Sequence, residues 1–174
     1  MTDQQDMIQL DQNGTLCQLL RQRVERTPEA VAYRQYDEAA GDWIPWTWQQ
    51  FVDAVSRWQQ ALAGEGLETG DRIAIMLGNC REWAAFDMAA RGLGLVVVPL
   101  YANDRADNLG LILQNCGAKL LLVGTDVQWR TLAPVESTVD AAGLMQRRDG
   151  KPWLIRYGRE ATRPYGADGL NPVE

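Results

Sequence analysis

An α/β fold built on a mainly parallel sheet with flanking helices is predicted for the middle of the chain, and two features carry that prediction. Three short apolar runs recur, Arg72 to Leu77 (RIAIML), Leu95 to Leu100 (LVVVPL) and Lys119 to Val123 (KLLLV), two of them enriched in β-branched residues. Segments of helical length opened by polar turns separate them, which gives the strand–helix order of βαβ units. The chain has 174 residues, 46% of them hydrophobic, enough for one ordinary domain or one piece of a larger one.

Residues 1–14 are polar without sustained apolar periodicity and read as a loose N-terminal segment. Thr15 and Gln18 then fit a capping box, with Leu16, Leu19, Leu20 and Val24 on one helical face. Thr27-Pro28 stops that helix, because proline disfavours helical backbone in the residue before it. Val31 to Tyr36 and Trp43 to Trp46 read as two strands joined by a turn over Asp37 to Asp42 that contains Gly41. A second capping box, Thr47 with Gln50, opens a helix whose Trp48, Val52, Val55, Gln59 and Leu62 share a face; Gly64, Gly66 and Gly70 close it through a left-handed turn. Within the βαβ region, a helix from Cys80 to about Gly92 spreads Trp83, Phe86, Met88 and Ala90 around its circumference, so it is expected to be covered on more than one side. Another runs from Asn103-Asp104 to about Cys116, and a third begins after Gly124-Thr125.

Composition excludes much familiar chemistry. There are 17 Lys and Arg against 23 Asp and Glu, a net charge of −6, which makes nucleic acid and anionic membrane surfaces poor partners. No histidine occurs, which removes the commonest general base and imidazole metal ligand. Cys17, Cys80 and Cys116 are far apart and form no CxxC pair, so free thiols in a reducing compartment are expected rather than a metal site. The polar start does not read as a signal peptide, and no apolar stretch approaches membrane-spanning length, so a cytoplasmic location is expected.

Residues 136–174 differ in character: 5 Gly, 3 Pro, 6 basic and 6 acidic residues, and a turn-rich end from Arg159 onward. Trp153-Leu154-Ile155 is the one candidate strand there. The basic cluster Arg147, Arg148, Lys151, Arg156, Arg159 and Arg163 is locally balanced by Asp149 and Glu160 and reads as a solvated face.

In open parallel sheets ligands gather beyond the carboxyl ends of the strands. Here those ends are Gly78-Asn79, the segment holding Tyr101 and Asn103, and Gly124-Thr125. They are candidates for an anion or nucleotide edge, or Asn79, Asn103 and Thr125 merely cap helices. No GxxxxGK[ST] loop is present, and with only Lys119, Lys151, Ser56 and Ser137 available no Ser/Thr/Gly-rich phosphate cradle can be assembled.

The segments TLCQLLRQRVERTPEAVAYR, WIPWTWQQF, GLETGDRIAIMLGNCREW and GLGLVVVPLYANDRADNLGLILQNCGAKLLLV follow one another in an order and spacing that resemble the N-terminal part of the adenylate-forming superfamily, most of all its long-chain fatty acid–CoA ligase branch. Trp43-x-x-x-Thr47-Trp48 and Val98-Pro99-Leu100-Tyr101 point to that branch. The resemblance covers roughly residues 15–135 and leaves 136–174 as an irregular tail outside it. It implies the N-terminal subdomain of the acyl-CoA synthetase fold.

The resemblance also implies a parent activity: a fatty acid is activated with ATP to an acyl-adenylate, pyrophosphate leaves, and the acyl group passes to coenzyme A. That chemistry uses a Gly/Ser/Thr-rich phosphate loop ending in Lys, Mg²⁺ and a catalytic Lys on a small C-terminal domain. None of these matches a segment of this sequence, so no catalytic residue is carried over and no cofactor or metal is expected on this chain alone. Only Arg130 is implied as a contact, on the coenzyme A side. Two accounts follow: a fragment of a fatty acid–CoA ligase, inactive alone and needing the remainder of the enzyme or self-association, or a non-catalytic binding module that kept the fold.

Overall fold

The computed structural model describes residues 14–124, with Ile8, Gln128 and Leu132 as isolated positions and residues 154–156 as a strand. In chain order the elements are α1 (Leu16–Arg26), β1 (Val31–Asp37), β2 (Asp42–Thr47), α2 (Trp48–Ala63), β3 (Arg72–Met76), α3 (Arg81–Gly92), β4 (Val96–Pro99), α4 (Ala106–Cys116), β5 (Leu120–Val123) and β6 (Leu154–Arg156). Both capping boxes form: Thr15 and Thr47 each accept from the third helical N–H, and Gln18 and Gln50 reach back to the cap.

The strands sort into two sheets. β1 and β2 make an antiparallel hairpin, and the other four lie in the order β4-β3-β5-β6, every neighbouring pair parallel. The expected strand near Trp153 is thus realised as β6, against β5.

Period-two alternation then divides the sheet residues between two cores. Ile73, Ile75, Leu77, Leu120 and Leu122 face a cluster completed by Phe51, Val55, Trp58 and Leu62 of α2 and Ala85, Phe86, Ala89 and Ala90 of α3. Ala74, Met76, Leu121 and Val123 face the opposite cluster, with Leu109 and Leu113 of α4 and Leu132. The apolar runs are continuous rather than alternating because both faces of the strands are covered. β4 is an edge strand: the N–H groups of Val96 and Leu100 donate towards β3, so the nitrogen of Pro99 falls on the free side, where a missing donor costs nothing.

Three expectations are corrected. Phe51, Ala54, Val55, Trp58 and Leu62 are the buried residues of α2; of the expected face only Val55 and Leu62 belong to them, while Trp48, Val52 and Gln59 are only partly buried. They lie at offsets 0, 3, 4, 7 and 11 and form the more continuous apolar stripe. Gly64, the C-cap of α2, keeps right-handed backbone (φ −74°), and the left-handed positions are Gly66 (φ 67°) and Gly70 (φ 91°). Asn79 and Asn103 are not caps: Cys80 and Arg105 occupy the N-cap positions of α3 and α4, and neither side chain caps its helix.

Candidate functional site

β3 is an inner strand of the described sheet, and the exits from β3 and β4 run to opposite faces. The chain leaves β3 for α3 on the face shared with α2, whereas it leaves β4 for α4 on the other face. This is a topological switch point, where the carboxyl end of a strand opens a crevice in doubly wound sheets. The sequence-predicted candidates lie along this edge. Gly78 and Asn79 are exposed just beyond β3, Tyr101 (84% exposed) and Asn103 just beyond β4, and Gly124 at the end of β5. The Gly124 N–H donates to Gln128 Oε1 at 2.8 Å, and a Cβ there would press on Leu77. Thr125 and Arg130 lie outside the described residues.

Along this edge Asn79, Tyr101 and Asn103 are neutral and exposed, and the charged side chains Asp104, Arg105 and Asp107 are already paired. After β4, Arg105 holds the Asp107 carboxylate at 2.6 Å, and Asn108 donates to Asp104. The Arg105 guanidinium lowers the Asp107 carboxyl below its ordinary range. Among the described residues no three Cys, Asp or Glu side chains gather as a metal site. The described edge therefore has neither an unpaired cation cluster for a triphosphate nor a donor set for Mg²⁺, so these residues do not fit ATP–Mg²⁺ by themselves.

The most organised polar cluster was not anticipated from the sequence. At the start of α3, the Arg81 N–H donates to Gln35 Oε1 of β1 at 3.0 Å. Its guanidinium lies 4.0 Å from the centre of the Trp46 ring of β2, and its Nε is 3.0 Å from Glu82 Oε1. Glu82 is 8% exposed, and among the described residues Glu82 Oε2 and Arg81 Nη1 are buried with no hydrogen-bond partner within normal distance, while the Glu82 carboxylate also lies against the Cys80 thiol. Burial pushes the neighbouring Cys80 thiol up to about 11; the Trp83 backbone N–H opposes that rise and the Glu82 carboxylate reinforces it. The only textual signal was a charged pair, Arg81-Glu82, placed directly after a strand-end turn in an apolar stretch.

A separate hollow of about 330 Å³ opens between α1, α2 and α3, lined by Cys17, Leu20, Val24, Val52, Val55 and Met88 among others. It contains none of the strand-end candidates. Burial raises the Cys17 thiol, partly offset by Arg91, so this cysteine is not an activated nucleophile. No helix among the described residues is long and apolar enough to cross a membrane.

Comparison with known proteins fits this architecture. The family described as AMP-binding enzyme matches residues 20–163, which carries the match past residue 135. Rv1549 of Mycobacterium tuberculosis is 26% identical over 146 residues, covering 82% of this chain and 81% of its own length. The long-chain-fatty-acid–CoA ligase FadD15 of Mycobacterium tuberculosis is 28% identical over 114 residues, covering 66% of this chain but 19% of the ligase. The inhibitor-bound N-terminal domain of FACL13 from the same organism superposes with a TM-score of 0.63 at 25% identity, over 91% of this chain and 37% of that one.

Proposed function

We propose that this chain, which belongs to the AMP-binding enzyme family, serves as the N-terminal subdomain of a cytoplasmic fatty acid–CoA ligase and does not complete the ligase reaction by itself. The carrying observation is the pairing of a ligase-like sheet with a strand-end edge that, among the described residues, offers a paired Arg105 and no metal donor set. The chain aligns with the N-terminal part of fatty acid–CoA ligases and spans about a fifth of FadD15. Activation of a carboxylate by ATP needs cations against the phosphates, and coenzyme A transfer needs a second substrate site. In this reading residues 15–135 together with strand β6 supply the sheet and one wall of the acyl and coenzyme A entrance, and the remainder of residues 136–174 is an appended tail. Gly78, Asn79, Tyr101, Asn103 and Gly124 are the proposed anion or nucleotide edge, with Thr125 and, on the coenzyme A side, Arg130 as further candidates outside the described residues. ATP, Mg²⁺, coenzyme A and the fatty acid are then ligands of the completed enzyme.

The test is an assay of the purified chain with ATP, Mg²⁺, palmitate and coenzyme A, reading palmitoyl-CoA and AMP. No product above blank is expected, and ATP-dependent thioester formation overturns the proposal. One observation favours a second reading, a non-catalytic module: Rv1549 is covered over most of its own length by this chain. A module gives a monodisperse chain with one cooperative melt. A subdomain lacking its partner self-associates or binds a hydrophobic dye through uncovered apolar surface.

A further inference from the structure

Asn13 is the one asparagine of this chain that precedes a glycine; Asn79, Asn103, Asn108, Asn115 and Asn171 precede Cys, Asp, Leu, Cys and Pro. An asparagine carboxamide is open to attack by the backbone nitrogen of the following residue, and glycine, without a Cβ, crowds that approach least. The nucleophile is the deprotonated amide, so the reaction shares a requirement with hydrogen exchange: the Gly14 N–H must be released. Gly14 is exposed, but its N–H is not idle. It donates to Gln18 Oε1 at 2.9 Å, and the same oxygen accepts from the Thr15 N–H at 3.1 Å. The side chain that completes the capping box of α1 thus also holds the attacking nitrogen. Because α1 contains no buried residue, that hold is released by local opening of the helix end.

We propose that Asn13-Gly14 is a site of spontaneous deamidation, with the Gln18 side chain setting its rate in the folded chain. The Gly14 nitrogen gives its proton to hydroxide and bonds to Asn13 Cγ; the Cγ–Nδ2 bond breaks, and the nitrogen leaves as ammonia. Water then opens the cyclic imide at either carbonyl, giving aspartate or isoaspartate at position 13. The sum is amide plus water to acid plus ammonia, with no oxidant or metal required. Either product adds a negative charge just ahead of α1, at the positive end of the helix dipole. Isoaspartate also lengthens the main chain there, because its path runs through the former side chain.

The full chain is incubated at mildly alkaline pH, native and in urea, and the peptide containing position 13 is followed by mass and by separation of its two acidic forms. In urea, conversion at Asn13 is expected to outpace conversion at Asn79 and Asn103 many-fold. In the native chain it is expected to be several-fold slower than in urea. Gln18→Ala removes the acceptor and brings the native rate up to the urea rate, whereas Gln18→Glu keeps an acceptor in the box and keeps the rate low. Gly14→Ala suppresses conversion even in urea; in the folded chain its Cβ meets only Gln18 Oε1, at 3.5 Å, so the cap has room for it. Conversion at Asn13 no faster in urea than at the other asparagines overturns the site. Equal native and urea rates, an unchanged native rate in Gln18→Ala, or Gln18→Glu as fast as Gln18→Ala overturn the role of Gln18.

Discussion

The parallel sheet with its helices and the layer in front of it, α1 with the β1–β2 hairpin, are built on different terms. From Phe51 to Val123 the elements bury side chains on both faces of the sheet, with Ile73, Ala74, Ile75, Phe86, Leu113, Leu120 and Leu122 wholly inaccessible. From Leu16 to Thr47 no residue is buried. The front layer is fastened by half-buried anchors, Leu20, Tyr33 and Trp46, and by the Arg81 contacts. The contrast teaches that one chain can hold a self-sufficient core and a layer that depends on what it leans against.

Substitution in the sheet unit gives the largest effect. Phe86 is inaccessible and meets Trp58 edge-on at 5.0 Å, so Phe86→Ala lowers global stability by about 3–5 kcal/mol in denaturant melts. A loss below about 1 kcal/mol would mean the core is not packed as described.

Cys80 sits where the two regions meet and reports on both. With its thiol held near 11 against an ordinary 9.0, its thiolate population at pH 8 falls by about a hundredfold. Alkylation at Cys80, read by peptide mass, is therefore at least tenfold slower in the native chain than in urea. The linkage sign follows from the raised value: the folded chain keeps this proton when the unfolded chain has lost it. The stabilisation from Cys80 is complete below pH 9 and is lost as pH rises towards 11.

The two capping boxes sharpen the comparison because their local chemistry is the same. Thr47→Ala weakens α2, which carries five buried residues, and costs about 1 kcal/mol of global stability. Thr15→Ala weakens α1, which carries none, so it loosens that helix in hydrogen exchange while leaving the global midpoint nearly unchanged. Equal midpoint shifts would make the layers one cooperative unit. The smallest effect is expected for Trp43→Ser at the hairpin surface, within about 0.5 kcal/mol.

The sheet was legible in the sequence because strands covered on both faces must be apolar without interruption, and RIAIM, VVVP and LLLV are. The caps were legible because Thr-x-x-Gln satisfies two backbone donors locally. The buried face of α2 was not, since Trp48 and Phe51 begin rival stripes and only the α3 surface opposite decides between them. The strand-end edge could be located by topology alone. The Arg81–Glu82 seam could not, because its organisation comes from Gln35 and Trp46, long-range contacts that leave no local spacing. The order of segments carried the family; the tail boundary at residue 135 carried less, since the family match continues to residue 163.

Native-state hydrogen exchange tests the separation of the two regions most directly. The account predicts that amides of β3 and β5 exchange only through global unfolding, with protection that follows the denaturant melt, while amides of α1 and the β1–β2 hairpin open at a distinctly lower free energy. Identical opening free energies and identical denaturant dependence in both sets would contradict it, and would make the front layer part of a single core.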